Sequence, residues 1–147
     1  MSKVDFVELL GSKKRDRGVN PMVPGSAFPG AEEWLNGRSP IVCSFLSFAC
    51  STCIDLLPHI AKLAEEGKGQ FVLFTDGSAE ENASIVDYFG FGFPVNSITY
   101  SSFKSVYRVP ETPFIYTLNE AGKVTGWGVA DTGGELAAII HKATARP

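Results

Sequence analysis

Two thiols separated by two residues, Cys50-Ser51-Thr52-Cys53, carry the chemistry most legible in this chain. Such a pair either exchanges with disulfides or supplies half of a metal site. The surrounding pattern favours exchange. Ahead of the pair, Ile41-Val42-Cys43-Ser44-Phe45-Leu46 reads as a buried strand. After it, Ile54, Leu56, Leu57, Ile60, Ala61 and Leu63 recur at the spacing of a helix packed on one side, which Gly67 and Gly69 end. At a strand-to-helix junction Cys50 stands at the helix N-terminus, where unpaired N–H groups and the helix dipole favour a thiolate. Cys50 is therefore expected to attack, and Cys53, a turn further on and tucked inward, to resolve the mixed disulfide.

A closed zinc site needs about four ligands, and no second close Cys/His pair follows this one. Copper delivery lacks a supporting methionine or histidine cluster. No cofactor and no tightly bound metal are expected. Three cysteines in 147 residues do not make a disulfide scaffold, and Cys43, inside the apolar run, is expected to be buried packing. His59, His141, Glu111 and Asp76 are expected at surfaces and turns, with acid-base tuning the lesser reading for each. Pro58 reads as a helix kink, Trp34 and Trp127 as packing anchors. Of Phe48, Phe91 and Phe114, at least two are expected in the core rather than on an apolar rim.

The chain has the size of one globular domain, and its net charge of −3 supplies no broad electropositive surface for nucleic acid. Lys13-Lys14-Arg15 with Arg17 is a local basic cluster of a solvated tail. No stretch approaches the roughly 20 apolar residues needed to cross a bilayer, and residues 1–11 lack the order of a secretory signal, so a soluble polypeptide is expected.

The elements that must hold the thiols are set by periodicity and punctuation. Residues 2–10 permit a short helix, followed by an irregular Pro/Gly-rich approach and one turn at Ala31 to Leu35. Beyond the cysteine helix, Gln70 to Thr75 is a second strand and Asp76-Gly77 a turn. Ser78 and Glu81 have capping-box spacing ahead of a helix whose face would be Ala83, Ile85, Val86, Tyr88 and Phe89. Phe91 to Arg108 has no firm period and reads as an insertion with one helical turn at Ser102 to Tyr107. Phe114 to Leu118 and Lys123 to Trp127 are strands around an Asn119 to Gly122 turn, the second an edge. Thr132 and Glu135 cap a final helix with Leu136, Ala137, Ile139 and Ile140 on its apolar stripe. Alternating strand and helix predicts an α/β domain with a parallel strand pair.

This order, with its Cys-x-x-Cys helix, Phe45 and Cys50 at the end of the first core strand, Pro58 beyond Cys53 and Thr112-Pro113 before a strand, resembles the thioredoxin superfamily. The resemblance implies a mixed central sheet flanked by helices, with an N-terminal extension (1–19), a thioredoxin-like domain (20–147) and a central insertion around 81–107. The long spacing from Cys53 to Pro113 is similar to the TlpA-like thiol-disulfide oxidoreductases. The Phe45 to Cys50 run and Leu56-Leu57-Pro58 also resemble MauD-type proteins. The activity implied by the resemblance is protein thiol-disulfide exchange. Thr112 and a cis Pro113 would line the substrate's path beside Cys50, and the partners would be a cysteine-containing protein or peptide and a redox partner. Relatives of this kind are often extracytoplasmic domains of membrane-anchored proteins. The alternative is a non-catalytic chaperone or assembly factor on the same fold. Two departures stand out: Ser44 occupies the place of the buried acid, and Ala49 that of the tryptophan before the first cysteine. Peroxide reduction is a poor fit, because Cys43 and Ser47 stand where a peroxidatic site carries proline and threonine.

Overall fold

The computed structural model describes residues 19–144. The expected N-terminal helix and the Lys13–Arg17 cluster lie outside the described residues. Every residue of β1, Ile41–Leu46, is buried, as a strand covered on both faces requires. It pairs in parallel with β2, Gln70–Thr75, and antiparallel with β4, Phe114–Leu118. β3, Val95–Ser97, extends the sheet in parallel beyond β2, and β5, Val124–Val129, closes the other edge, giving the order β3-β2-β1-β4-β5.

Side chains alternate across the sheet and create two apolar layers. One contains Val42 and Leu46 with Cys53, Leu56, Leu57 and Ile60 of α1, Ser51–Glu65, and Leu136 and Ile140 of α4, Gly133–Thr144. The other gathers Ile41, Cys43 and Phe45 with Phe74, Tyr116 and Phe103, the last from α3, Tyr100–Ser105. Phe28, from the Pro/Gly-rich approach, is at the centre of this second layer, with ring contacts to Trp34, Phe45, Phe74, Tyr107 and Tyr116. Tyr116 ties the approach down. Its hydroxyl accepts from Met22 N–H at 3.0 Å and faces the Tyr107 and Arg108 carbonyls at 2.8 and 3.0 Å.

α2, Ala79–Phe89, starts in the expected box, Ser78 Oγ accepting from Glu81 N–H and Glu81 Oε1 from Ser78 N–H. Its buried face is narrower than the spacing predicts: Ile85, Val86 and Phe89 pack on the core, but Ala83 is exposed and Tyr88 is 82% exposed. At α4, Thr132 Oγ1 accepts from Glu135 N–H, and the Glu135 carboxylate reaches Asp131 N–H rather than Thr132 N–H. The segment read as an irregular insertion contains β3 and α3, and α3 starts two residues ahead of the expected turn, at Tyr100, capped by Thr99. Three residues are too few to register as a period. β5 is an edge as expected, displaced to Val124–Val129. Trp127 on it is stacked on the buried Phe114, the packing role expected, though at a position that is 43% exposed. Phe91 and Phe114 are core, as at least two of the three phenylalanines had to be. Among the described residues no helix is long and apolar enough to cross a membrane.

Candidate functional site

Strand β1 ends at Leu46, and Ser47-Phe48-Ala49 turns the chain into α1 with Cys50 as its N-cap, in extended conformation (φ −112°, ψ 112°). A cap needs an acceptor for the first-turn donors. Here the acceptor is sulfur: Cys53 N–H donates to Cys50 Sγ at 3.3 Å. The Cys50 thiol is half-buried and lies 3.9 Å from the Thr112 carbonyl oxygen, to which it donates. Cys53 is fully buried behind it. Both sulfurs are free thiols, as is that of Cys43.

The buried thiol is the more perturbed partner. Burial first, then a hydrogen bond with the Cys50 side chain and its charge, push the Cys53 thiol up to about 12. The Ser47 main chain and the Thr112 hydroxyl hydrogen-bond to its sulfur and act in the opposite direction. Cys43 is raised by burial, and it faces the aromatic layer, across the sheet from Cys53.

Cys50 opens into a pocket of about 440 Å³ whose walls include Ala49, Thr52, Asp76, Tyr100 and Thr112. A second cavity, about 400 Å³, lies beside Gln70 at the other end of β2, lined by Phe89, Phe91 and Phe93 and without a nucleophile. Thr112 and Pro113 are therefore beside the cysteines, and the peptide bond between them is cis, as is Ser39–Pro40. Asp76, expected at a solvent-facing turn, is instead half-buried in the pocket wall. Ser44 Oγ is buried without a hydrogen-bond partner on the α1 face of the sheet. His59 and Pro58 are exposed on the outer side of α1, His59 covering Gly133 at the start of α4, and His141 is exposed on α4. Glu111 is half-buried, one residue from Thr112.

Ser47 is the site residue that sequence reasoning missed. Its hydroxyl donates to Asp76 Oδ2 at 2.6 Å and accepts from Ala49 N–H at 3.1 Å, and its carbonyl accepts from Cys50 N–H at 3.1 Å. The signal available was a serine between a strand and a helix, where a hydroxyl bonds its own backbone two residues on. Tyr100 was missed with it, because its helix was placed too late.

No family model matches the chain, and no curated protein matches it. Solved structures do. A secreted disulfide oxidoreductase of Mycobacterium tuberculosis, homologous to DsbE of E. coli, is similar at 20% identity and TM-score 0.59 over 74% of this chain and 84% of that one. DsbF of the same bacterium, solved in mixed oxidised and reduced forms, is similar at 20% identity and TM-score 0.60, over 76% and 84%. StoA of Bacillus subtilis is similar at 15% identity and TM-score 0.56, over 70% and 83%. The chain thus has a thioredoxin-like fold: a mixed sheet flanked by helices, with an extra helix and strand between β2 and β4.

Proposed function

We propose that the protein is a thiol-disulfide oxidoreductase in which Cys50 forms the mixed disulfide and Cys53 resolves it. One observation carries this reading: an accessible sulfur caps a helix in an open pocket, with a second, sealed sulfur one turn behind it. Cys50 attacks a disulfide sulfur of the substrate, forming one S–S bond and expelling a thiolate. Cys53 then loses its proton to solvent and attacks Cys50 Sγ, which closes the Cys50–Cys53 bond and releases the second substrate thiol. The reverse sequence oxidises a dithiol.

The electrostatics order these steps. While Cys50 is free, its hydrogen bond and charge help hold Cys53 as the thiol. Once Cys50 is in a mixed disulfide that charge is gone, and the bonds from Ser47 and Thr112, which favour the thiolate, are opposed by burial alone. Attachment of a substrate thereby removes one of the causes that hold Cys53 as the thiol, while burial, the largest, remains.

Thr112 is the substrate-facing residue on this side of the pocket, and Pro113 lies buried next to it. The Thr112 backbone is available to an extended peptide, and Pro113 brings no competing N–H. The partners are a cysteine-containing protein or peptide and a second redox protein that resets the pair. The 20–147 unit, with its insertion around 81–107, is read as a TlpA-like domain with features of MauD-type proteins. The solved relatives, one of them described as a secreted oxidoreductase, support that assignment at the level of fold. An extracytoplasmic, membrane-tethered setting goes with it.

The deciding experiment is trapping. Cys53→Ser should accumulate client proteins bound through Cys50 as reducible conjugates, while Cys50→Ser should lose disulfide reduction altogether. Clients retained equally by a variant lacking both cysteines would instead make the protein a binding or assembly factor.

A further inference from the structure

β2 ends at Thr75, and the next two residues reach across to the turn that carries Cys50. Asp76 offers both carboxylate oxygens to it: Oδ2 accepts from the Ser47 hydroxyl at 2.6 Å and Oδ1 from Phe48 N–H at 2.8 Å. Bonds to an ionised acceptor are the strong ones, and two from one planar group fix orientation as well as distance. Gly77 completes the contact, because a Cβ there would fall 2.0 Å from the Phe48 ring. The base of this latch is itself tied down. Thr75 Oγ1 accepts from Gly77 N–H at 3.1 Å and donates to Asn82 Oδ1 at 2.6 Å, and both side chains are buried.

The latch holds Ser47, and Ser47 holds the turn that carries the redox pair. Its carbonyl accepts from Cys50 N–H at 3.1 Å, and Cys50 Sγ in turn accepts from Cys53 N–H at 3.3 Å. Ser44, beneath the sheet's α1 face, has a hydroxyl with no partner and no carboxylate to offer. The acid nearest the pair along these bonds comes from the neighbouring strand instead.

We propose that Asp76 is a positioning residue for the resolving step, acting through Ser47 to hold the Cys50 turn against Cys53. The inference rests on the exchange reading. Resolution needs Cys50 Sγ held within reach of the sealed Cys53 sulfur, so it depends on the geometry of this turn more than attack on a disulfide arriving from solution does. Loss of the latch slows that step and largely spares the first attack, which takes place on the exposed face of Cys50.

Ellman's reagent separates the two steps. Cys50 attacks the aryl disulfide, forming a Cys50–thionitrobenzoate bond and expelling one thionitrobenzoate. Cys53 then attacks Cys50 Sγ, expels the second thionitrobenzoate and gives its own proton to water. Two phases of colour release report the two rates, and Cys53→Ser identifies the second by abolishing it. Asp76→Ala should slow the second phase about tenfold and the first less than about threefold, on the scale of a lost bond to a charged group. Asp76→Asn, which keeps an acceptor for Phe48 N–H, should recover much of the rate. Ser47→Ala should act in the same direction, with the double variant no slower than the worse single one, as one coupled unit requires. A merely structural role would lower the melting temperature without changing the ratio of the phases. Equal slowing of both phases, or, should Asp76→Ala not fold, a second phase within about twofold of the parent in Ser47→Ala, overturns the inference. A parent protein with no second phase overturns the exchange reading itself, whereas a biphasic parent with unchanged variants removes only the role of Asp76.

Discussion

At the scale of single residues, the chemistry is concentrated in a sulfur that is easy to reach and a sulfur that is hard to ionise. The Thr112 hydroxyl is one of two groups that favour the Cys53 thiolate. Thr112→Val keeps the side chain's shape and the backbone, and should slow resolution about tenfold at neutral pH, in keeping with a hydrogen bond to a charged atom. Stopped-flow measurement of mixed-disulfide decay checks this, and an unchanged rate would assign the whole effect to Ser47. The thiol pair and Thr112-Pro113 were legible because each has a spacing that means something locally. Asp76 and Ser47 were not joined, since the bond between them spans 29 residues and its meaning exists only once β1 and β2 lie side by side.

The elements obey their sequence signals where those signals are long. β1, β2 and β4 have the bounds the apolar runs predict, because a strand buried on both faces is apolar throughout. The short pieces were hidden. β3 is held by pairing with β2 and by Asn96 Nδ2 donating to the Leu73 carbonyl, and neither leaves a period. Phe28 was obscured by the prolines and glycines around it, although its ring completes the aromatic layer. Two substitutions test how elements are fastened together. Gly77→Ala forces a methyl into the Phe48 ring and should cost about 1–3 kcal/mol, the usual range for overpacking, read as a lower urea midpoint. Tyr116→Phe leaves Met22 N–H without its partner and should cost about 1–3 kcal/mol. Increased hydrogen exchange around residues 20–30, with the sheet still protected, would show that the approach segment comes loose first.

For the whole molecule, the raised thiols and phenol set an alkaline limit. Cys53 moves from 9.0 to about 12 and Tyr116 from 10.0 to about 12, while Cys43 is also raised, all chiefly through burial. The folded chain therefore keeps protons that the unfolded chain releases. Their stabilising effect is complete below about pH 9 and is lost as pH rises towards about 12. Urea midpoints of the reduced protein should fall across that interval. The oxidised protein, with no Cys53 thiol to titrate, should fall less steeply, and identical slopes would contradict the assignment. The sheet also acts as a partition. Cys43 belongs to the layer of Phe45 and Phe74, Cys53 to that of Leu56 and Ile60. Scrambled cross-links to the third thiol would require the backbone wall between the layers to be torn open, so oxidants meeting the native protein have a single cross-link to make, and no isomerase is needed to choose it.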